Sequence, residues 1–263
     1  MQRHLRGIGR LLPLLILMAR IAQPAVGEVG ADRAAEAGFT SIFDGKSLAG
    51  WSGDPVYWRV EDGHILGEIT PETLVKRNTF LIWEKDQPAN FELKLDYRIT
   101  ARGNSGVNYR SARMDDHPYA LTGYQSDIDG QNRHTGSNYE ERGRTTLAYR
   151  GQKTILPPLQ APLEADGLKR FIEKNAWTLA IVAGSLGDKD ALATHVHDGD
   201  WNEVHVIADG HQLQHFVNGV LMSEVTDYDP LNARASGYIG VQVHVGPPMK
   251  VEYRNIRLKR LAD

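Results

Sequence analysis

From Gly237 to Leu261 the chain reads GYIGVQVHVGPPMKVEYRNIRLKRL, and its first nine residues alternate without interruption. Ile239, Val241, Val243 and Val245 fall on one face of an extended segment, and Tyr238, Gly240, Gln242 and His244 on the other. A period of two suits a half-buried strand and no helix. Such a strand has a core side and a side that can wall a polar pocket. The layout recurs in GYQSDID, where Gln125, Asp127 and Asp129 share one face. In FELKLDYRIT, Phe91, Leu93, Leu95, Tyr97 and Ile99 alternate with Glu92, Lys94, Asp96 and Arg98, which predicts an antiparallel strand with a solvated outer face.

Turn chemistry joins these strands. Asp62-Gly63 lies between apolar flanks in WRVEDGHILG and predicts a hairpin. Asp209-Gly210 and Asn218-Gly219 divide NEVHVIADGHQLQHFVNGVLM into a three-stranded meander. Helical signals are weak: residues 168–182 suit a short helix, but their later β-branched and aromatic residues suit a strand equally. The stretch from about Ile155 to Asp200 reads as an irregular excursion. Many short strands without a repeat period predict an all-β fold, a two-sheet jelly-roll sandwich.

The 263 residues carry a formal charge of −3, which gives no electrostatic support to a nucleic-acid or membrane-surface partner. There is no cysteine, so disulfides, thiolate metal sites and a cysteine nucleophile are excluded. Arg3, Arg6 and Arg10 precede the apolar run LLPLLILMA, which is short for a membrane span and contains Pro13. The pattern predicts a cleaved secretory signal over residues 1–27 and a disordered lead-in over 28–37. One domain over 38–263 follows, in a periplasmic or secreted protein with no stable membrane insertion after cleavage.

Several segments hold candidate chemistry. Carboxylates at alternate positions, as in Asp127 and Asp129, can do acid/base work or hold a cation, or they can simply line a solvated face. In NYEERGR, Tyr139, Glu140 and Glu141 follow a loop rich in Gly, Asn and Ser, although neighbouring Glu and Arg often form only surface ion pairs. In NSGVNYR, Asn108 and Arg110 are expected on the face opposite Val107 and Tyr109, where the arginine fork can grip a carbonyl or a sugar hydroxyl. His244 shares a face with Gln242 beside Gly246-Pro247-Pro248, a turn at the sheet rim. His195 and His197 are at most a weak pair of metal ligands. A retaining glucanase, which needs two carboxylates about 5–5.5 Å apart, is disfavoured because Gln125 occupies the first of the three same-face positions.

The segments FTSIFDGKSLAGW, WRVEDGHILGE, NTFLIW, FELKLDYRI, NSGVNYRS, TGYQSDI, YEERGR, GDWNEVHVIADGHQLQHFVNGV and the C-terminal stretch stand in the order found in the 3-keto-disaccharide hydrolase domain family. From about Phe39 to Leu261 the chain resembles that family, which implies a concanavalin-like jelly roll. The resemblance also implies cleavage of a glycoside whose sugar carries a ketone at C3. The ketone acidifies the C2 proton, a base removes it, and the enolate expels the C1 substituent; water adds back if the outcome is hydrolysis.

On that reading Asp127 is the base, with Glu140 or His244 as acid or alternate base. Arg110 and Gln125 hold the carbonyl or ring hydroxyls beside Gln242, and Asp129, Tyr139 and Glu141 complete the substrate contacts. No cofactor is demanded; a divalent metal polarising the ketone fits the chemistry, with its ligands unspecified. The rival is a non-catalytic, lectin-like carbohydrate-binding module on the same fold. A row of exposed aromatics without convergent carboxylates would favour it. Trp51, Trp58, Trp83, Trp177 and Trp201 are placed beside strands or turns, where tryptophan is more often core.

Overall fold

The structure is a computed structural model that describes residues 36–262. The segments expected to be a signal and most of a lead-in lie outside the described residues. The end of the lead-in is held: the Glu36 carboxylate pairs with Lys94 and Arg257.

In chain order the strands are β1 (Thr40–Ser41), β2 (Trp51–Ser52), β3 (Trp58–Glu61), β4 (His64–Ile69), β5 (Thr79–Trp83) and β6 (Phe91–Ile99). They continue with β7 (Asn104–Met114), β8 (His117–Asp129), β9 (Asn138–Glu141), β10 (Thr145–Ala148) and β11 (Gln152–Leu156). After helix α1 (Ala165–Lys174) come β12 (Ile181–Ser185) and the short helix α2 (Lys189–Ala193). The chain ends with β13 (Asn202–Asp209), β14 (Gln212–Val217), β15 (Val220–Asp227), β16 (Tyr238–Val243) and β17 (Met249–Arg260).

These strands form two sheets packed as a jelly-roll-like sandwich. The larger follows the order β12-β11-β15-β14-β13-β6-β17-β4-β3, with β1 added along β17; the smaller follows β10-β9-β8-β7-β16-β5-β2. Leu93 and Leu95 of β6, Val204 and Val206 of β13, and Val251 and Tyr253 of β17 form one wall of the core. Val107 and Tyr109 of β7, Tyr124 and Ile128 of β8, and Ile239, Val241 and Val243 of β16 form the other. Burying these aliphatic and aromatic groups, at about 1.5–3 kcal/mol each, is the main force holding the sheets face to face.

The expected turns are present. Glu61 pairs with His64 across Asp62-Gly63, both at positive φ, which is the backbone such two-residue loops need. The meander is β13–β14–β15. Residues 155–200 prove more regular than expected. The segment 168–182 divides, its first part in α1 and its last in β12, and Asn175 ends the helix in the left-handed conformation. On β16 the alternation stops at Val243, and Val245 lies beyond the strand, exposed.

The outer face of the smaller sheet positions the site. By register Gly106 stands opposite Asp127, Asn108 opposite Gln125, Gln125 opposite Tyr139, and Gln242 opposite Phe80. The sheet curls so strongly that β8 approaches β5 although β7 and β16 lie between them. Phe80, Ile82 and Leu121 then pack together with Tyr238 into a small second core. Leu121 Cδ1 lies 2.8 Å from where a Cβ on Gly240 would stand, so a side chain there would have to push Leu121 aside. One end of the curled face is thereby filled with apolar groups, and polar residues are left at the other.

Candidate active site

β8, β9 and β16 bring Gln125, Asp127, Tyr139, Glu141 and Gln242 onto this polar end. Gln125 Nε2 donates to Asp127 Oδ1 at 2.8 Å. Gln242 Nε2 donates to Gln125 Oε1 at 3.1 Å and lies 3.4 Å from Glu141 Oε2. Asn78, at the entrance to β5, donates to Glu141 Oε1 at 3.0 Å while its own Oδ1 accepts from the Val245 amide at 3.0 Å. Thus Asn78 ties the rim segment that carries His244 to the carboxylate. No local sequence pattern marks Asn78; its role depends on a chain segment more than a hundred residues away.

The electrostatics of this end are unusual for a protein surface. Burial pushes the Asp127 carboxyl up to about 8, the Gln125 hydrogen bond opposes that rise, and the charges of Glu141 and Asp129 add to it. Asp127 is densely surrounded yet keeps part of its surface accessible. Burial also raises Glu141, against the hydrogen bond from Asn78, the nearby His244 and Arg142, and the Gln242 amide. The only cation paired with Glu141 among the described residues is Arg142, with its Nε at 3.6 Å. Burial and the two carboxylates likewise raise Tyr139, so its phenol keeps its proton. The floor holds further unspent polar groups: neither end of the fully buried Asn108 amide has a partner, nor has Gln242 Oε1.

Three expected site residues stand elsewhere. Glu140 alternates with Glu141 and so projects to the other face, where Arg144 Nε meets it at 2.7 Å. Arg144 also grips Asp227 at 2.6 Å, and this buried guanidinium is held charged by its carboxylates. Arg110 is redirected by a bulge: register shifts between Tyr109 and Ala112, and Arg110 has φ 43°. Its guanidinium donates to Ala89 O at 2.8 Å, Gly210 O at 2.7 Å and Asn90 Oδ1 at 3.0 Å, and so ties loops together away from the Asp127 face. Asp129 closes the loop that follows β8, accepting from the amides of Gln131 at 2.9 Å and Arg133 at 3.0 Å. That loop, also pinned by Arg150 to Asn132 and Thr135, is a fixed wall of the sheet end.

The aromatic and histidine candidates resolve plainly. Trp51, Trp58, Trp83 and Trp177 are core residues, and Trp201 lies under Arg254, 3.8 Å from its ring centroid. Among the described residues no row of exposed tryptophans accompanies the carboxylates. His215 is a buried core histidine bonded to Tyr109, its pKa driven down to about 3 by burial. His197 Nδ1 faces the Trp201 carbonyl at 3.2 Å. Among the described residues no group of three or more His, Asp or Glu side chains converges as metal ligands would.

The model of the 3-keto-alpha-glucoside-1,2-lyase-like domain matches residues 38–259. The chain belongs to this family. Membership places it among sugar-acting enzymes of the hydrolase or lyase kind. No match is found among curated proteins. Two solved structures from Parabacteroides distasonis ATCC 8503, both of candidate glycosyl hydrolases, share the fold. One is 18% identical with a TM-score of 0.53, covering 86% of this chain and 94% of its own. The other is 20% identical with a TM-score of 0.51, covering 85% and 99%.

Proposed function

We propose that this family member cleaves the glycosidic bond of 3-keto-disaccharides or 3-keto-glycosides by removing the C2 proton and eliminating the C1 substituent. The observation that carries the reading is the Asp127–Glu141 pair: two carboxyls on one face, joined through amides, both raised by burial. Raised carboxyls are what acid/base chemistry near neutral pH requires.

The pair also redistributes the expected roles. At pH 7 a group titrating near 8 is mostly protonated, which suits Asp127 to give a proton rather than take one. Glu141 is then the base. It takes the C2 hydrogen, and the electrons of that bond form the C2–C3 enolate with charge on the C3 oxygen. Tyr139, held protonated beside Glu141, is the O–H donor on this face that can stabilise that oxygen. As the C3 carbonyl re-forms, a C1–C2 double bond develops and the C1–O bond breaks. The departing oxygen takes the proton of Asp127. Addition of water at C1 would complete a hydrolysis, and its omission leaves a lyase product.

A divalent metal that polarises the C3 ketone would lie beside these carboxyls, but the donor set does not define a coordination shell for one. The N-terminal pattern of basic residues and an apolar run supports export to the periplasm or beyond.

Turnover of a panel of 3-keto-glycosides against their unoxidised parents tests the activity. Cleavage restricted to the oxidised sugars, and lost in Asp127→Asn and Glu141→Gln, is the expected result. Saturable sugar binding without turnover would instead leave a carbohydrate-binding module.

A further inference from the structure

Gln125 and Gln242 lie side by side on the site face, and chemistry determines the direction of their contacts. In the working state the Asp127 proton stands on Oδ2, toward the leaving group, which leaves Oδ1 an acceptor; the end of Gln125 that meets it at 2.8 Å is then its Nε2. Gln125 Oε1 then needs a donor, and Gln242 Nε2 supplies it at 3.1 Å. The second hydrogen of that Nε2 is directed to Glu141 Oε2 at 3.4 Å. With Asp127 Oδ1 accepting, turning the Gln125 amide over would set its oxygen against a second acceptor and its NH2 against another NH2. The arrangement also treats the two acids unequally. Glu141 receives donors from both Asn78 and Gln242, whereas the Asp127 carboxylate receives one, from Gln125.

A glycine makes room for this. Gly106 is the cross-strand partner of Asp127, and a Cβ there would stand 2.4 Å from Gln125 Cδ. The Gln125 amide lies in the gap that the missing side chain leaves.

We propose that Gln125 and Gln242 are positioning residues rather than sugar contacts: their linked amides leave Asp127 Oδ2 as the oxygen free to serve the leaving group, and give Glu141 two donors where Asp127 has one. The proposal rests on reading this face as a sugar-cleaving site. The titratable groups facing Asp127 are Glu141 and Tyr139 of β9 and Asp129 of its own strand; Glu141 in turn feels His244 and Arg142. From β7 the residues in register with Asp127 and Gln125 are Gly106 and Asn108, and β16 adds Gln242 through its bond to Gln125; none of these titrates.

The test compares wild type with Gln125→Met, Gln242→Met and Gly106→Ala in two measurements. The first is kcat and KM on a 3-keto-glucoside across pH, and the second is a carboxyl-carbon NMR titration of the folded proteins. Positioning predicts a fall in kcat of about tenfold or more with KM changed less than about threefold. It also predicts an Asp127 titration shifted upward by about one pH unit in Gln125→Met, because a donor to the ionised form is lost. Gly106→Ala displaces Gln125 without removing a polar group and should move the titration the same way. If either of these two variants does not fold, the other still decides. A KM raised tenfold with the Asp127 titration unmoved would overturn the proposal and make the glutamines sugar contacts. The titration needs no turnover. If wild type cleaves no 3-keto-glycoside, the proposed activity fails, while the amide relay is still judged by the Asp127 shift alone.

Discussion

Glu140 and Glu141 are neighbours in sequence and both nearly buried, yet the structure uses them in opposite ways. Glu140 turns toward the sandwich interior and is locked to Arg144, which also holds Asp227 at 2.6 Å and approaches Asp229 at 3.5 Å. Glu141 turns to the outer face of the same sheet, where it meets two amides and, at 3.6 Å, the exposed Arg142. The first environment surrounds a buried guanidinium with carboxylates, and in the second burial opposes the ionisation of Glu141. One step of strand alternation therefore separates a structural carboxylate from one available to proton transfer. The lesson is that burial alone does not single out a candidate for acid/base work; burial without a close, buried counter-ion makes Glu141 the one proposed here.

The comparison can be broken in several ways. The largest effect is expected on turnover of a 3-keto-glycoside. Glu141→Gln and Asp127→Asn should each lower kcat by about 10²–10⁴-fold with no loss of thermal stability, read by steady-state kinetics beside a melting curve. An unaffected kcat in Glu141→Gln would end the distinction drawn here. Next comes Arg144→Leu, which leaves Glu140 and Asp227 buried without their cation. It should cost about 3–5 kcal/mol in a urea unfolding titration, while Arg142→Leu, at the exposed partner of Glu141, should cost less than about 1 kcal/mol.

A smaller effect follows from pH. The Asp127 carboxyl titrates near 8 in the folded protein against an ordinary 3.8. Between those values the folded state keeps a proton that the unfolded chain has released, so this group's contribution is lost as pH rises toward 8. Asp127→Asn should therefore gain on wild type steadily as pH rises from 4 to 8, and the gap should close below pH 4, as followed by thermal melts across pH. The smallest effect on chemistry is expected at Arg110, whose guanidinium ties loops on the other side of the sheet. In Arg110→Lys, kcat and KM should stay within about threefold of wild type even though the melting temperature falls. A KM raised tenfold would return Arg110 to the sugar site.

How much of this was legible in the sequence varies by residue. Period-two alternation placed Gln125 and Asp127 together on one strand, and Gln242 on another, and the Xaa-Gly pairs placed the turns between strands. That was sufficient for the two-sheet fold, because burying the alternate aliphatics leaves few other arrangements. The same rule separates Tyr139 and Glu141 from Glu140, but using it required knowing where β9 begins, and NYEERGR is too short to show that. Arg110 was misplaced because a bulge adds a residue to one strand, and its positive φ belongs to an arginine, which carries no local sign of it. Asp129 begins the run DGQNR, whose turn chemistry does suggest a side chain bonded to its own loop. The Asn78–Glu141 contact joins residues 63 apart in the chain, and only the sheet order brings them together.

The most direct test of the account follows the C2 hydrogen of a 3-keto-glucoside by NMR in D2O, with wild type, Glu141→Gln and Glu140→Gln compared at equal amounts of folded protein. The account predicts that wild type and Glu140→Gln remove that hydrogen at similar rates and cleave the glycoside, and that Glu141→Gln does neither. Cleavage that proceeds with the C2 hydrogen retained, or removal that survives Glu141→Gln and is lost in Glu140→Gln, would contradict it.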